Sequence, residues 1–273
     1  MKTRENLKLG EEINEHFVRG LMKGYNRYLE VRIDAAEELK VSSGYAYVRG
    51  NHLEDAIAKE ESMKNVSFDL ASAGSWRYLQ FKVTDSDKKY LVIIRRSERI
   101  SDTQKELKRK NNEEKEKNWL YQLSKNNEHL KLSKLIREES DQQLIIFGDN
   151  PIDNKAIITQ TQLDIELEER YDRFYILSYE IDNNNLIDDA SLLMLDPRTL
   201  ELAEIETLRP LVVKYQSLID RELLLKANEA ITPEEFSGVT AEYSIHQAEE
   251  DLPASPADYP IEESQAEDEI KDI

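Results

Sequence analysis

The stretch that decides the fold is VSFDLASAGSWRYLQFKVTDSDKKYLVIIRR, residues 66–96. It contains three segments rich in β-branched and aromatic residues, at 66–70, 76–84 and 90–95, joined by Ala-Gly-Ser and Asp-Ser-Asp-Lys. In the middle segment Leu79, Phe81 and Val83 alternate with polar or amphipathic neighbours, which is the period of a strand. Because the second connection has hairpin length, the last two strands are predicted to be antiparallel neighbours.

Helical periodicity surrounds this β region. From Glu5 to Lys40 apolar side chains recur every three or four residues, and Gly20 and Gly24 within that pattern indicate a break or a close packing contact. Further helices are predicted at 53–63, 102–137, 162–170 and 211–227, and further strands at 144–147, 156–159, 174–181 and 191–195. The order predicts an α+β fold with a mixed or antiparallel sheet and packing helices.

Three regions follow from composition. We expect an N-terminal helical segment at 1–44, an α/β body at 45–228 and a disordered acidic tail at 229–273. The tail contains fourteen acidic residues against Lys271 alone and is interrupted by prolines, so it lacks the apolar residues that would offset its ordering entropy.

Charge and cysteine content narrow the function classes. The net charge is −19, of which the tail supplies −13, so general affinity for nucleic acid or membranes is not expected. The absence of cysteine excludes disulfides, thiolate catalysis and cysteine-ligated zinc. The charged N-terminus lacks a signal-peptide pattern, and no apolar run is long enough to span a bilayer, so a cytoplasmic protein without membrane association is expected.

One group of residues has the composition of a metal-dependent hydrolytic site. Glu54 lies on a predicted helix, Asp69 on the first strand, and Gln80 and Lys82 on the second. Phosphodiester hydrolysis uses a hard divalent cation held by carboxylate oxygens, and a nearby lysine orients water and offsets developing negative charge. The residue types and their order fit this chemistry, and the alternative is a strand meander with surface charges.

This order resembles the signature of the restriction-endonuclease-like nucleases, PD-(D/E)xK, in the Mrr-type variant where glutamine replaces the second acid. The resemblance covers residues 50–82. It implies a Mg²⁺- or Mn²⁺-dependent nuclease, or a degenerate descendant, with catalytic residues Glu54, Asp69, Gln80 and Lys82. Asp69 would be the main metal ligand and Glu54 a second one.

A basic run follows the third strand. It comprises Arg95, Arg96, Arg99, Lys105, Lys108, Arg109 and Lys110. Under the nuclease hypothesis Arg95, Arg96, Arg99, Lys108 and Arg109 would contact nucleic acid. Acids interleave with the run, so a solvated helix face with ion pairs at i,i+4 spacing is the competing interpretation.

The favoured hypothesis is a cytoplasmic interaction or regulatory protein that binds a protein partner through its acidic surface and tail and needs no cofactor. In overall style the chain resembles uncharacterised accessory proteins of low-GC Gram-positive bacteria and their prophages. That resemblance implies a role in phage–host conflict, toxin control of the toxin–antitoxin type, or regulation. The metal-dependent nuclease is the alternative.

Overall fold

The computed structural model describes residues 4–60, 64–73, 76–133 and 171–231. Within these residues six strands form one mixed sheet, which confirms the predicted α+β fold. The strands are β1 (Val66–Ala73), β2 (Trp76–Asp85), β3 (Lys88–Arg96), β4 (Arg173–Ile181), β5 (Ile187–Leu195) and β6 (Leu202–Thr207). The helices are α1 (Glu11–Glu38), α2 (Arg49–Ala58), α3 (Ser97–Arg109), α4 (Asn112–Glu116), α5 (Trp119–Ser124), α6 (Arg209–Tyr215) and α7 (Arg221–Ala230).

The strands lie in the sheet in chain order, from β1 at one edge to β6 at the other. Each neighbouring pair is antiparallel except β3 and β4, which run parallel from Tyr90↔Arg173 to Arg96↔Tyr179. The predicted pairing of β2 with β3 is confirmed. β6 was not predicted, because its alternation of Ala203 and Ile205 with acidic residues is short and weak.

Alternation along the strands gives the sheet two apolar faces. Phe81, Val92 and Tyr175 pack on one face with α1 and α2, while Tyr78, Leu91 and Phe174 face the smaller layer formed by α3 and α5. Burying a large apolar side chain contributes roughly 1.5–3 kcal/mol. Because more of these side chains are buried under α1 than in the layer of α3 and α5, the layer under α1 is the main source of stability.

Gly20 and Gly24 mark a close helix contact and not a break, since α1 is continuous. A Cβ on Gly24 would lie 2.6 Å from the His52 carbonyl oxygen, and one on Gly20 would lie 2.7 Å from Ile57 Cα. The glycines therefore let α2 pack directly on the backbone of α1. This contact places the N-terminal part of α2 at the end of the sheet.

The helical segment predicted at 102–137, with Asn126-Asn127 as its candidate break, is divided earlier in the chain than predicted. Helix α3 begins earlier, at Ser97, and separate helices α4 and α5 follow. Asn111 and Asn118 each accept backbone N–H groups as N-caps, which starts a new helix at each of these residues. The segment predicted at 211–227 is likewise divided into α6 and α7, with Asp220 as the N-cap of α7.

Several predictions lie outside the described residues: the strands at 144–147 and 156–159, the helix at 162–170, and the tail beyond residue 231. None of the described helices combines the length and apolar character needed to cross a membrane.

Candidate functional site

The β1–β2 hairpin carries three of the four residues predicted for metal-dependent chemistry. Asp69 pairs with Gln80 across the hairpin, and Lys82 lies two residues further along β2 on the same face. Lys82 Nζ is 2.6 Å from Asp69 Oδ2, and the two side chains are 28% and 61% exposed respectively. The structure therefore brings Asp69, Gln80 and Lys82 together on a surface that solvent reaches.

Glu54, predicted as a second metal ligand, has different partners. It lies on the buried side of α2. One carboxylate oxygen accepts the backbone N–H of Leu79 at 2.8 Å, and the other accepts Arg95 Nη1 at 3.0 Å. Glu54 is therefore one half of a buried ion pair, and the exposed group on the hairpin does not include it.

The buried ion pair lies where the ladder between β2 and β3 stops. The paired register ends at Phe81 and Val92, and its continuation would place Leu79 opposite Ile94 as a hydrogen-bonded pair. Here the Leu79 N–H donates to Glu54, and the Ile94 carbonyl accepts the guanidinium at 2.7 Å. The ion pair thus satisfies two backbone groups that the separating strands leave without ladder partners.

Arg95 is also stacked against two aromatic rings. Its guanidinium carbon lies 4.6 Å from the centre of the Tyr78 ring and 5.2 Å from that of Trp119. Burial raises the pKa of Glu54, and Arg95 together with the Leu79 N–H opposes that rise. The site is therefore internally neutralised, and its contacts are those of a structural anchor.

The residues on the hairpin offer a small ligand set for a cation. Asp69 and Gln80 supply one carboxylate and one amide oxygen, which Mg²⁺ or Mn²⁺ accepts alongside water and substrate phosphate. In the described part of the chain no group of three or more His, Asp or Glu side chains lies close enough to share a metal ion. The residues fit a cation to which water and substrate supply most of the ligands.

The basic run is divided between two elements. Arg95 and Arg96 end β3, whereas Arg99, Lys108 and Arg109 are exposed on α3. Two of its lysines pair with acids along the helix, Lys105 with Asp102 at 3.4 Å and Lys110 with Glu106 at 2.6 Å. The run therefore combines exposed cations with local ion pairs.

A second charged group, which the sequence analysis missed, lies at the same end of the sheet. We call it the arginine–tyrosine cluster, and it comprises Arg32, Arg49, Arg96, Tyr25, Tyr28 and Tyr179. Helix α1 supplies Tyr25, Tyr28 and Arg32, and Arg49 is the first residue of α2. Arg96 and Tyr179 are register partners at the carboxyl ends of the parallel strands β3 and β4.

The arginines of this cluster have few polar partners. Arg32 is fully buried and its Nη1 donates to the Ser42 carbonyl at 2.6 Å, but within the described residues its Nε and Nη2 have no hydrogen-bond partner. Arg49 lies over the Tyr28 ring at 5.7 Å, and the Tyr179 side chain is its hydrogen-bond partner. Burial, followed by the nearby Arg49 guanidinium, lowers the pKa of Arg96. The cluster is therefore a concentration of positive charge in the interior.

A signal for the cluster was present in the sequence. Arg32 follows Tyr28 by four residues and Leu29 by three, so it falls on the apolar face of α1. A charged residue on a buried face indicates either an internal partner or a ligand. The neighbours on other elements carried no comparable signal, because their positions depend on the tertiary fold.

Comparison with protein-family models, with curated proteins and with solved structures found no match to this chain.

Proposed function

We propose that the protein is a cytoplasmic interaction or regulatory protein that binds a basic partner, and that the outer edge of β1 is its docking strand. One observation carries the proposal: among the described strands β1 is an edge strand, and its Phe68 and Leu70 are 48% and 55% exposed. Natural edge strands are normally short, charged or covered, because an open apolar edge pairs with another strand. An open edge of this kind suits β-augmentation by an extended partner segment.

Charge complementarity defines the partner. The net charge of −19 favours a basic segment by long-range attraction, and Asp69 is the only charged residue of β1. Alternate apolar side chains of the partner would pack against Phe68 and Leu70 while its backbone pairs with β1. The acidic segment 229–273 would also attract this basic partner.

The test compares one edge substitution with a matched substitution elsewhere. Leu70→Lys places a cation on the edge, and Leu225→Lys makes the same change at an exposed leucine of α7 that is 62% exposed. Full-length wild type, both variants and a chain lacking residues 232–273, which keeps helix α7 and the buried Ile231, are used to capture partners from cells, followed by affinity measurement with the purified partner. We expect Leu70→Lys to lose about tenfold or more in affinity and Leu225→Lys to keep wild-type affinity.

Salt dependence and removal of the tail separate the contribution of charge attraction to the affinity from that of pairing with β1. Affinity for the basic partner should fall as salt is raised, and it should fall further when the tail is removed. Equal binding by Leu70→Lys and the wild type would reject β1 as the docking strand.

A second candidate function is a divalent-metal-dependent nuclease, favoured by the arrangement of Asp69, Gln80 and Lys82 on adjacent strands. Asp69 and Gln80 would hold Mg²⁺ or Mn²⁺, which supplies charge stabilisation for phosphodiester hydrolysis when bound. Lys82 would orient the attacking water. Glu54, paired with Arg95, would support the strand that carries Gln80 and Lys82, and the exposed arginines of α3 would contact the phosphate backbone.

Cleavage assays on single- and double-stranded DNA and RNA test this candidate with Mg²⁺, Mn²⁺ and a chelator. Asp69→Asn and Lys82→Ala should each abolish metal-dependent cleavage. The matched controls are Asp102→Asn and Lys105→Ala, which change an exposed ion pair of the same type on α3. Cleavage that persists in both hairpin variants would exclude this site.

A further inference from the structure

The arginine–tyrosine cluster contains buried positive charge without a described acidic partner for two of its three arginines. Arg32 and Arg49 form no ion pair with any carboxylate in the described residues, whereas Arg96 contacts Glu98 at 3.1 Å. Taking an isolated charge out of water costs several kcal/mol even after relaxation, so buried charges are normally paired. An anion bound among these guanidinium groups would remove that cost.

The arginines of the cluster differ in exposure. The Arg96 side chain is 15% exposed, Arg49 is 7% exposed, and Arg32 is 0% exposed. Arg96 and its register partner Tyr179 lie near the carboxyl ends of the parallel strands β3 and β4, and Arg49 lies close to Tyr179.

A short aromatic segment adjoins the cluster. The 3-10 helix Ser43–Val48 carries Tyr45 and Tyr47, which are 37% and 36% exposed. Arg32 holds the residue before this segment by donating to the Ser42 carbonyl, and Arg49 directly follows Val48 in the chain. A flat aromatic side chain next to guanidinium groups can stack a base while the cations hold its phosphate.

We propose that the arginine–tyrosine cluster is a binding site for the phosphate group of a nucleoside phosphate. Guanidinium groups bind phosphate oxygens through paired N–H donors. The free Nε and Nη2 of Arg32 and the Nε of Arg96 are donors that such a phosphate would satisfy. This site is separate from the docking strand β1, so each proposal can fail without the other.

The experiment measures binding to the full chain by isothermal titration calorimetry, with unfolding temperature as a second readout. The probes are adenosine, inorganic phosphate, AMP, and a short DNA oligonucleotide with and without a 5′-phosphate. We expect AMP or the phosphorylated oligonucleotide to bind and to raise the unfolding temperature. Adenosine and the unphosphorylated oligonucleotide should bind at least about tenfold more weakly. A preference for AMP identifies a free nucleotide as the source of the phosphate, and a preference for the oligonucleotide identifies a nucleic-acid end.

Two variants place the binding at the cluster. Arg96→Gln, at the least buried arginine of the cluster, should weaken binding of the phosphate ligand by about tenfold or more, and Arg49→Gln should do the same. Arg221→Gln makes the same change at an exposed arginine of α7 and should bind as the wild type does. The proposal is overturned if no phosphate probe binds at millimolar concentration, or if Arg96→Gln and Arg221→Gln bind equally well.

Discussion

Two arginine sites lie side by side at one end of the sheet, and they differ in the groups that surround the arginine charge. Arg95 has a carboxylate, a carbonyl and two aromatic rings around it. The next residue, Arg96, belongs to the arginine–tyrosine cluster, where Arg32 and Arg49 have tyrosines but no described acid. A charge whose partners are complete stabilises local structure, whereas charges without an acid provide a place for an anionic ligand.

The largest expected effect on stability comes from removing the carboxylate of the ion pair between Glu54 and Arg95. Glu54→Leu would leave Arg95 without its carboxylate and the Leu79 N–H without its acceptor, and we expect it to lower the free energy of unfolding by about 3–5 kcal/mol. Urea unfolding measures this loss.

The matched control for this substitution is the double variant Glu54→Leu/Arg95→Met. Without either charge, the Leu79 N–H can pair with the Ile94 carbonyl and close the ladder, so most of the lost stability should return. A single variant within about 1 kcal/mol of the wild type would show that the pair is not an anchor.

The second effect concerns the helix contact that supports both sites, because Arg32 lies on α1 and Arg49 and Glu54 lie on α2. Gly24→Ala would force these helices apart and should cost about 1–3 kcal/mol, with weaker binding at the cluster. Gly50→Ala is the control, since a Cβ there meets nothing within 4 Å. It should be neutral or stabilise by up to about 1 kcal/mol. Equal urea midpoints for the two variants would contradict the close contact.

The contributions of His52, beside the arginine–tyrosine cluster, and of Glu54 to the free energy of unfolding should change with pH in opposite directions. Burial, followed by Arg27, lowers the pKa of His52, which lies 6.2 Å from the Tyr28 ring of the cluster. The folded state then binds this proton less readily than the unfolded chain, so stability is lost as pH falls below about 6.5. Burial raises the pKa of Glu54, so its protonation favours the folded state at lower pH.

Unfolding free energies measured between pH 7.5 and 5.5 test the loss of stability expected from His52. His52→Gln should lose less stability across this range than the wild type, by a difference below about 1 kcal/mol because solvent screens a partly exposed group. A steeper loss in His52→Gln would contradict the assigned direction.

The smallest effect is expected for the exposed ion pair on the hairpin, which contrasts with the buried pair of Glu54 and Arg95. Asp69→Ala or Lys82→Ala should change the free energy of unfolding by less than about 1 kcal/mol, because water and salt screen the charges. Urea unfolding at low and high salt measures it. A loss comparable to that of Glu54→Leu would mean that this pair has a structural role.

The local pattern predicted much of the sheet and of the main helix. The alternation in residues 76–84 gave β2, the short polar connection gave its pairing with β3, and Phe17, Leu21 and Tyr28 marked the face of α1 that is buried. It also placed Asp69 and Lys82 on neighbouring strands. Helix continuity was predicted poorly, because Asn111 and Asn118 act as caps only where the chain turns.

What the sequence by itself determined is therefore the set of elements whose side-chain period is visible within ten or so residues, together with the residue types available for chemistry. Only the tertiary structure decided that β3 and β4 are parallel, that Glu54 meets Arg95 across 41 residues, and that Arg32, Arg49 and Arg96 converge. The physical reason is that periodicity reports which face of one element is buried. Which charges meet inside depends on the packing of elements distant in the chain, and the glycine contact between α1 and α2 sets that packing here.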